Sequence, residues 1–175
     1  MPTTVITNYF PKRTLAQAGT DVAQLAVALE HAVAQFITAV ASQAPDVQIK
    51  PVRPGGWSPV QIMEHIGIAT TLSAGAINAV VAGKPAATLP KGLLTEAGTM
   101  VAPEQTNPSA HPTLEHAQHL LTTAVEAINQ AAVHAAAAGL ANTVCMVNPF
   151  FGPLTATECV QLAVVHVHHH QQQLP

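Results

Sequence analysis

Apolar residues recur at three- and four-residue steps through four stretches of the chain, the period of a helix with one face turned to a core. Val22, Leu25, Leu29, Ala32, Phe36 and Val40 form the first stripe and predict a helix over about residues 21–43, ended by Pro45. A turn from Thr14 to Gln17 precedes it, with Gly19 as the break. The second helix opens at Ser58 as N-cap, with Pro59 in the first helical position and Gln61 completing a capping box. Its stripe is Ile62, His65, Ala69, Leu72, Ala76 and Val80. The third runs from Leu114, capped by Thr113, to Ala138, where Gly139 suits the C-terminal cap. It turns Leu114, Ala117, Leu121, Val125, Ile128 and Ala132 inward and sets His116, His119 and His134 on the solvated face. The fourth begins at Thr155, which forms a capping box with Glu158, and runs to the chain end. Four helices with one stripe each predict an all-α fold, a four-helix bundle formed as a single domain over residues 1–175.

Between these helices the pattern lapses. Residues 45–56 read as a loop from Pro45, Pro51, Pro54 and Gly55-Gly56. Residues 83–112 carry glycines and prolines throughout and form a long connection between the second and third helices, with a short helix around Lys91 to Ala97. A connection of that length in a compact domain is either mobile or covers a functional site.

Composition narrows the function. Charged residues make up 9% of the 175 and the formal net charge is −3. All six basic residues (Lys12, Arg13, Lys50, Arg53, Lys84 and Lys91) precede residue 92, so no basic face is available for a phosphate backbone and no nucleic-acid partner is expected. The first twenty residues lack the pattern of a signal peptide, and no window approaches eighteen strongly apolar residues, so no membrane span is expected. Two cysteines, Cys145 and Cys159, are too few for a disulfide framework and fit a reducing cytoplasm, with Cys159 read as a small buried apolar residue. Alanine-rich helices with little surface charge make a homodimer plausible.

The histidines carry the chemistry. His166 and His170 are four residues apart on the fourth helix, on the face that also carries Cys159, Leu162 and Ala163. Two imidazoles at that spacing can grip one metal ion. The plain alternative is that His168-His169-His170 with Gln171-Gln172-Gln173 is only a low-complexity tail. His65 lies inside the apolar stripe of the second helix, where its plain reading is a hydrogen-bonded core residue. Metal sites in bundles are built from inward side chains of facing helices, and His65, His166 and His170 supply three.

Gly56-Trp57-Ser58-Pro59-Val60-Gln61-Ile62-Met63-Glu64-His65-Ile66 resembles the first signature of the DinB-like superfamily. The pattern His166, His169, His170 and Gln173 resembles its second, and Asn148-Pro149-Phe150-Phe151-Gly152-Pro153-Leu154-Thr155 looks like a branch of uncharacterised bacterial proteins within it. The resemblance implies a four-helix bundle holding a divalent metal through His65, His166 and His170. Relatives include bacillithiol- and mycothiol-dependent transferases, a thiol-dependent maleylpyruvate isomerase, and DNA-damage-induced proteins without assigned activity. Gln171 and Gln172 stand where leucine, arginine or glycine is commoner.

A three-histidine site keeps a coordination position open, the arrangement of catalytic rather than structural metal sites. There a water could be activated or a low-molecular-weight thiol bound as thiolate. Imidazole ligands suit zinc, nickel, copper and iron, with zinc or nickel expected. Gln173, one turn beyond His170, could orient a ligand, and His169 could line the pocket. Trp57 and Phe151, with Phe150, would close the bundle end or wall a substrate pocket. Glu64 lies about 100° around the helix from His65, a poor position for a general base. The expected function is a metal-dependent enzyme acting on a small-molecule substrate, by thiol transfer or hydrolysis. The alternatives are a non-catalytic metal-binding stress or scaffold protein, and a bundle whose histidines serve packing alone.

Overall fold

Capping side chains start the long helices where the sequence places them. In the computed structural model, which describes residues 3–175, the chain runs β1 (Thr3–Val5), α1 (Arg13–Ala16), α2 (Val22–Ala41), α3 (Pro45–Ile49), α4 (Pro59–Val81) and β2 (Ala87–Thr88). It continues through β3 (Leu93–Thr95), β4 (Met100–Val101), a 3-10 turn at Glu104–Thr106, α5 (Leu114–Ala137), β5 (Val144–Asn148), β6 (Gly152–Thr155) and α6 (Ala156–Gln171). The four long helices α2, α4, α5 and α6 form the bundle. Ser58 with Gln61 and Thr155 with Glu158 make both hydrogen bonds of their capping boxes, so the first-turn donors of α4 and α6 are satisfied locally. α5 ends in a left-handed Gly139 at φ 72°. The N–H of Leu140 donates to Ala135 at 2.7 Å and that of Gly139 to Ala136 at 3.0 Å. These are the paired bonds of a Schellman cap.

The core is filled by the predicted stripes of α2 and α5, with Leu25, Leu29, Phe36, Leu121 and Ile128 fully buried. α4 and α5 approach closely at Gly67, where an added Cβ would lie 3.1 Å from the Leu121 nitrogen and 3.2 Å from its Cα. α4 buries Ile62, His65 and Ala76 of the predicted stripe, but its buried face is wider than that stripe and leaves out Leu72. Ile62, Met63, Ile66, Ala74 and Ile77 face the core, whereas Leu72 is 39% exposed. Isoleucine and alanine lie all round this helix, so its own sequence does not select a face, and packing on α5 does.

Three other expectations change. Pro45 not only ends α2 but starts the one-turn α3, within the segment read as loop. The segment around Lys91 to Ala97 is strand rather than helix: β3 pairs antiparallel with β1 and with β4. α2 is long and apolar enough by length and composition to cross a membrane, with a mean hydropathy of 1.3, where no window was expected to come near. Its buried residues line the bundle core, while Gln24, Glu30, His31 and Gln35 are exposed, as on a bundle helix.

A second small sheet has the order β2-β5-β6, with β2 parallel to β5 and β5 antiparallel to β6. The turn of the β5–β6 hairpin is shaped by Asn148, whose Oδ1 accepts the N–H groups of Phe150 at 2.9 Å and Phe151 at 3.1 Å. β6 leads directly into α6 through Thr155. Lys12 clamps this junction, donating to the Pro153 carbonyl and pairing with Glu158 at 2.9 Å.

Candidate metal centre

Two turns into α4, His65 meets the last turns of α6. His65, His166 and His170 converge so that one ligand atom from each lies within 4.8 Å of the others. The Nε2 atoms of His65 and His166 are 3.2 Å apart, and those of His166 and His170 are 2.9 Å apart. Those spacings are close to the separation of about 3.3 Å that follows for nitrogens bonded at roughly 2.0–2.1 Å to one tetrahedral ion.

The remaining nitrogens set the tautomers. His65 Nδ1–H donates to the Thr106 carbonyl at 2.7 Å, and His170 Nδ1–H donates to Gln173 Oε1 at 2.9 Å. Both rings therefore present Nε2 as a lone pair. Both lone pairs face His166 Nε2, which carries at most one proton when neutral and can satisfy one of them. At least one buried lone pair is thus left without a proton, a shortfall that a cation would make good. The residues present thus fit a divalent metal with imidazole donors.

The electrostatics point the same way. Desolvation pushes the His65 imidazolium pKa below its ordinary value, against the opposing pull of the Thr106 hydrogen bond. Burial, then the neighbouring His170, His65 and His169, push His166 well down. Burial and His65 bring His170 down to about 3, despite the Gln173 bond. At neutral pH the three rings are therefore unprotonated, the state in which imidazole binds metal.

His65 is held from every side. Trp57, half-buried just before the Ser58 cap, lies over it with ring centroids 4.6 Å apart. The segment after the 3-10 turn forms a strap across the start of α4. Gln61 Nε2 donates to the carbonyls of Ser109 at 3.1 Å and Ala110 at 3.2 Å. The buried Glu64 carboxylate accepts the Ser109 N–H at 2.7 Å and its hydroxyl at 3.0 Å. Part of the long connection thus lies against the His65 side of the cluster, carrying the Thr106 carbonyl with it. Glu64, weighed in sequence as a general base, instead anchors this strap, and His116 Nε2 stands 3.5 Å from its other side. A carboxylate inside the run Ile62–Gly67 was the visible signal; Thr106 and Ser109 carried none.

On α6 the exposed His169 joins the site through Gln173, whose Nε2 donates to His169 Nε2 at 3.0 Å. Trp57, His169 and Gln173 are thus brought to the cluster. Phe151 is not. It precedes the N-cap of α6, about 20 Å along that helix from His170, and packs edge-on to Phe10 at 6.3 Å. Its neighbour Phe150 stacks on the same ring. The pattern Asn148 to Thr155 builds the hairpin at the far end of α6, not a wall at the histidines.

The sequence model of the DinB superfamily matches residues 14–174. A solved structure described as TT2238, a four-helix bundle protein, superposes with a TM-score of 0.62, covering 87% of this chain and 96% of its own, at 18% identity. At that identity the likeness concerns the fold. No curated protein matches the chain.

Proposed function

This chain belongs to the DinB superfamily, and on that premise we propose that it is a metal-dependent enzyme. It holds one divalent ion, zinc or nickel among the several metals that imidazole donors suit, through Nε2 of His65, His166 and His170. The supporting observation is the convergence of three unprotonated imidazoles, two of them orientated by bonds at Nδ1. The bound ion would supply a Lewis acid that activates a water or a low-molecular-weight thiol for reaction with a small electrophilic substrate. The chain's own residues do the positioning. Thr106 and Trp57 fix His65, Gln173 fixes His170, and the Glu64–Ser109 anchor keeps the strap against the site. His169, exposed, accepts a hydrogen bond from Gln173 and so helps to hold it.

A second reading, a metal-binding stress or scaffold protein, has one observation in its favour: the donors join α4 to α6, so an ion there would staple the bundle. Metal analysis of the purified protein comes first, with about one ion per chain expected and its loss in His166→Ala. No metal above background, with unchanged stability in His166→Ala, overturns both readings. Turnover of a thiol or ester substrate by the metal-loaded protein then selects the enzyme; stabilisation by metal without turnover across such panels selects the scaffold.

A further inference from the structure

Outside the histidine cluster, the two cysteines face each other. Cys145 Sγ and Cys159 Sγ are 3.3 Å apart, one on β5 and the other in the second turn of α6. We propose that Cys145 and Cys159 are a modification site, a dithiol that hydrogen peroxide converts to a reversible disulfide tying the β5–β6 hairpin to α6.

A strand irregularity builds this pair. Val144 pairs with Thr155 and Met146 with Leu154, so Cys145 is the extra residue of a β-bulge. Bulges re-aim side chains, and here Cys145 and Met146 both turn inward although they are neighbours on a strand. Regular alternation would have sent one of them to solvent. The Cys145 sulfur also lies 3.5 Å from the Leu154 carbonyl, which leaves the Cys159 S–H to point at Cys145. That hydrogen bond lowers the Cys145 pKa, while the same contact and burial raise Cys159. The two sulfurs are therefore unequal, as an attacking and a resolving thiol need to be. Both are buried, with Val144, next to Cys145, 40% exposed at the open end of the hairpin.

The chemistry balances in two steps. The Cys145 thiolate attacks one peroxide oxygen, the O–O bond breaks, and the departing hydroxide takes a proton to leave as water. Cys145 is then a sulfenic acid. The Cys159 thiol attacks that sulfur, the S–S bond forms, and the sulfenic hydroxyl leaves as a second water with the Cys159 proton. The thiols lose two electrons and two protons, and the peroxide is reduced to two waters.

The test exposes the reduced full chain to hydrogen peroxide under native conditions, then quenches, denatures, counts free thiols and measures intact mass. Expected are loss of both thiols together, a mass lower by two hydrogens, a monomer on a non-reducing gel, and full recovery with dithiothreitol. Both thiols still free, added oxygen on one cysteine with the other unreacted, or a cross-linked dimer overturns the proposal. In Cys159→Ser the resolving thiol is gone, so an oxygen adduct at Cys145 is expected, and its absence counts against the assigned order of attack. The wild-type result stands whether or not that variant folds.

Discussion

Acidifying the metal-free protein probes the histidine cluster through the proton that its metal would replace. His170 is brought down to about 3 from 6.5, chiefly by burial. The difference of about 3.5 units, at about 1.36 kcal/mol each, amounts to about 5 kcal/mol. The sign follows from which state binds the proton first. As pH falls below about 6.5 the unfolded chain protonates this histidine and the folded chain does not. Stability is thus unaffected above that value and is lost progressively down to about 3, at a slope approaching 1.4 kcal/mol per pH unit. Burial lowers His65 and His166 as well, which steepens the loss. Glu158 acts at lower pH. Burial alone would raise its carboxyl, but Lys12 and Thr155 bring it below its usual value, so its contribution is lost only as pH falls into the carboxylate range. The window from about pH 6.5 to about pH 4.5 therefore isolates the histidines. The assay is urea unfolding followed by circular dichroism at stepped pH, with a chelator present. With total stabilities of about 5–15 kcal/mol, the loss should approach unfolding at the acid end. His170→Gln, which cannot be protonated, should reduce the slope by about one proton's worth. A wild-type stability flat across this window, or a slope unchanged in His170→Gln, would refute the reasoning.

Three further outcomes are expected. Adding zinc to the metal-free protein at about one hundred times its dissociation constant should contribute about 2.7 kcal/mol. At about 2–4 °C per kcal/mol for a chain of this size, the melting temperature should rise by roughly 5–11 °C in wild type and not in His166→Ala, read by differential scanning fluorimetry. Thr155→Ala removes the N-cap of α6 and should cost about 1 kcal/mol by urea midpoint; an unchanged midpoint would mean that the cap contributes nothing. Gly67→Ala and Gly75→Ala make a pair within α4. A Cβ at Gly67 meets the Leu121 backbone, whereas one at Gly75 meets nothing within 4 Å. The first should destabilise by about 1–3 kcal/mol and the second should stabilise by about 0.5–1 kcal/mol, and equal effects would show that the α4–α5 approach is not tight.

Local chemistry made much of this protein legible before any fold was known. The starts of α4 and α6 follow from Ser58–Gln61 and Thr155–Glu158, and the end of α5 from Gly139, because caps involve only residues within one turn of each other. The i, i+4 spacing of His166 and His170 is equally local, and it placed them on one face of α6. That His65 stands opposite them required only that two apolar stripes meet. What lay beyond the sequence depends on pairing between distant segments. β3 has three residues and no signal of its own; it exists because β1 and β4 lie beside it. Leu72 points outward because α5 selects the buried face of α4. Glu64 is an anchor only because the long connection brings Ser109 to it, and Phe151 lies far from the histidines because its hairpin sits at the other end of α6. The meeting of Cys145 and Cys159 rests on a bulge one residue long. Periodicity and caps report what a residue does within its own helix. The tautomers of His65 and His170, the strap against the site and the facing sulfurs were decided by tertiary structure, because each depends on an atom that only the folded chain brings within hydrogen-bonding distance.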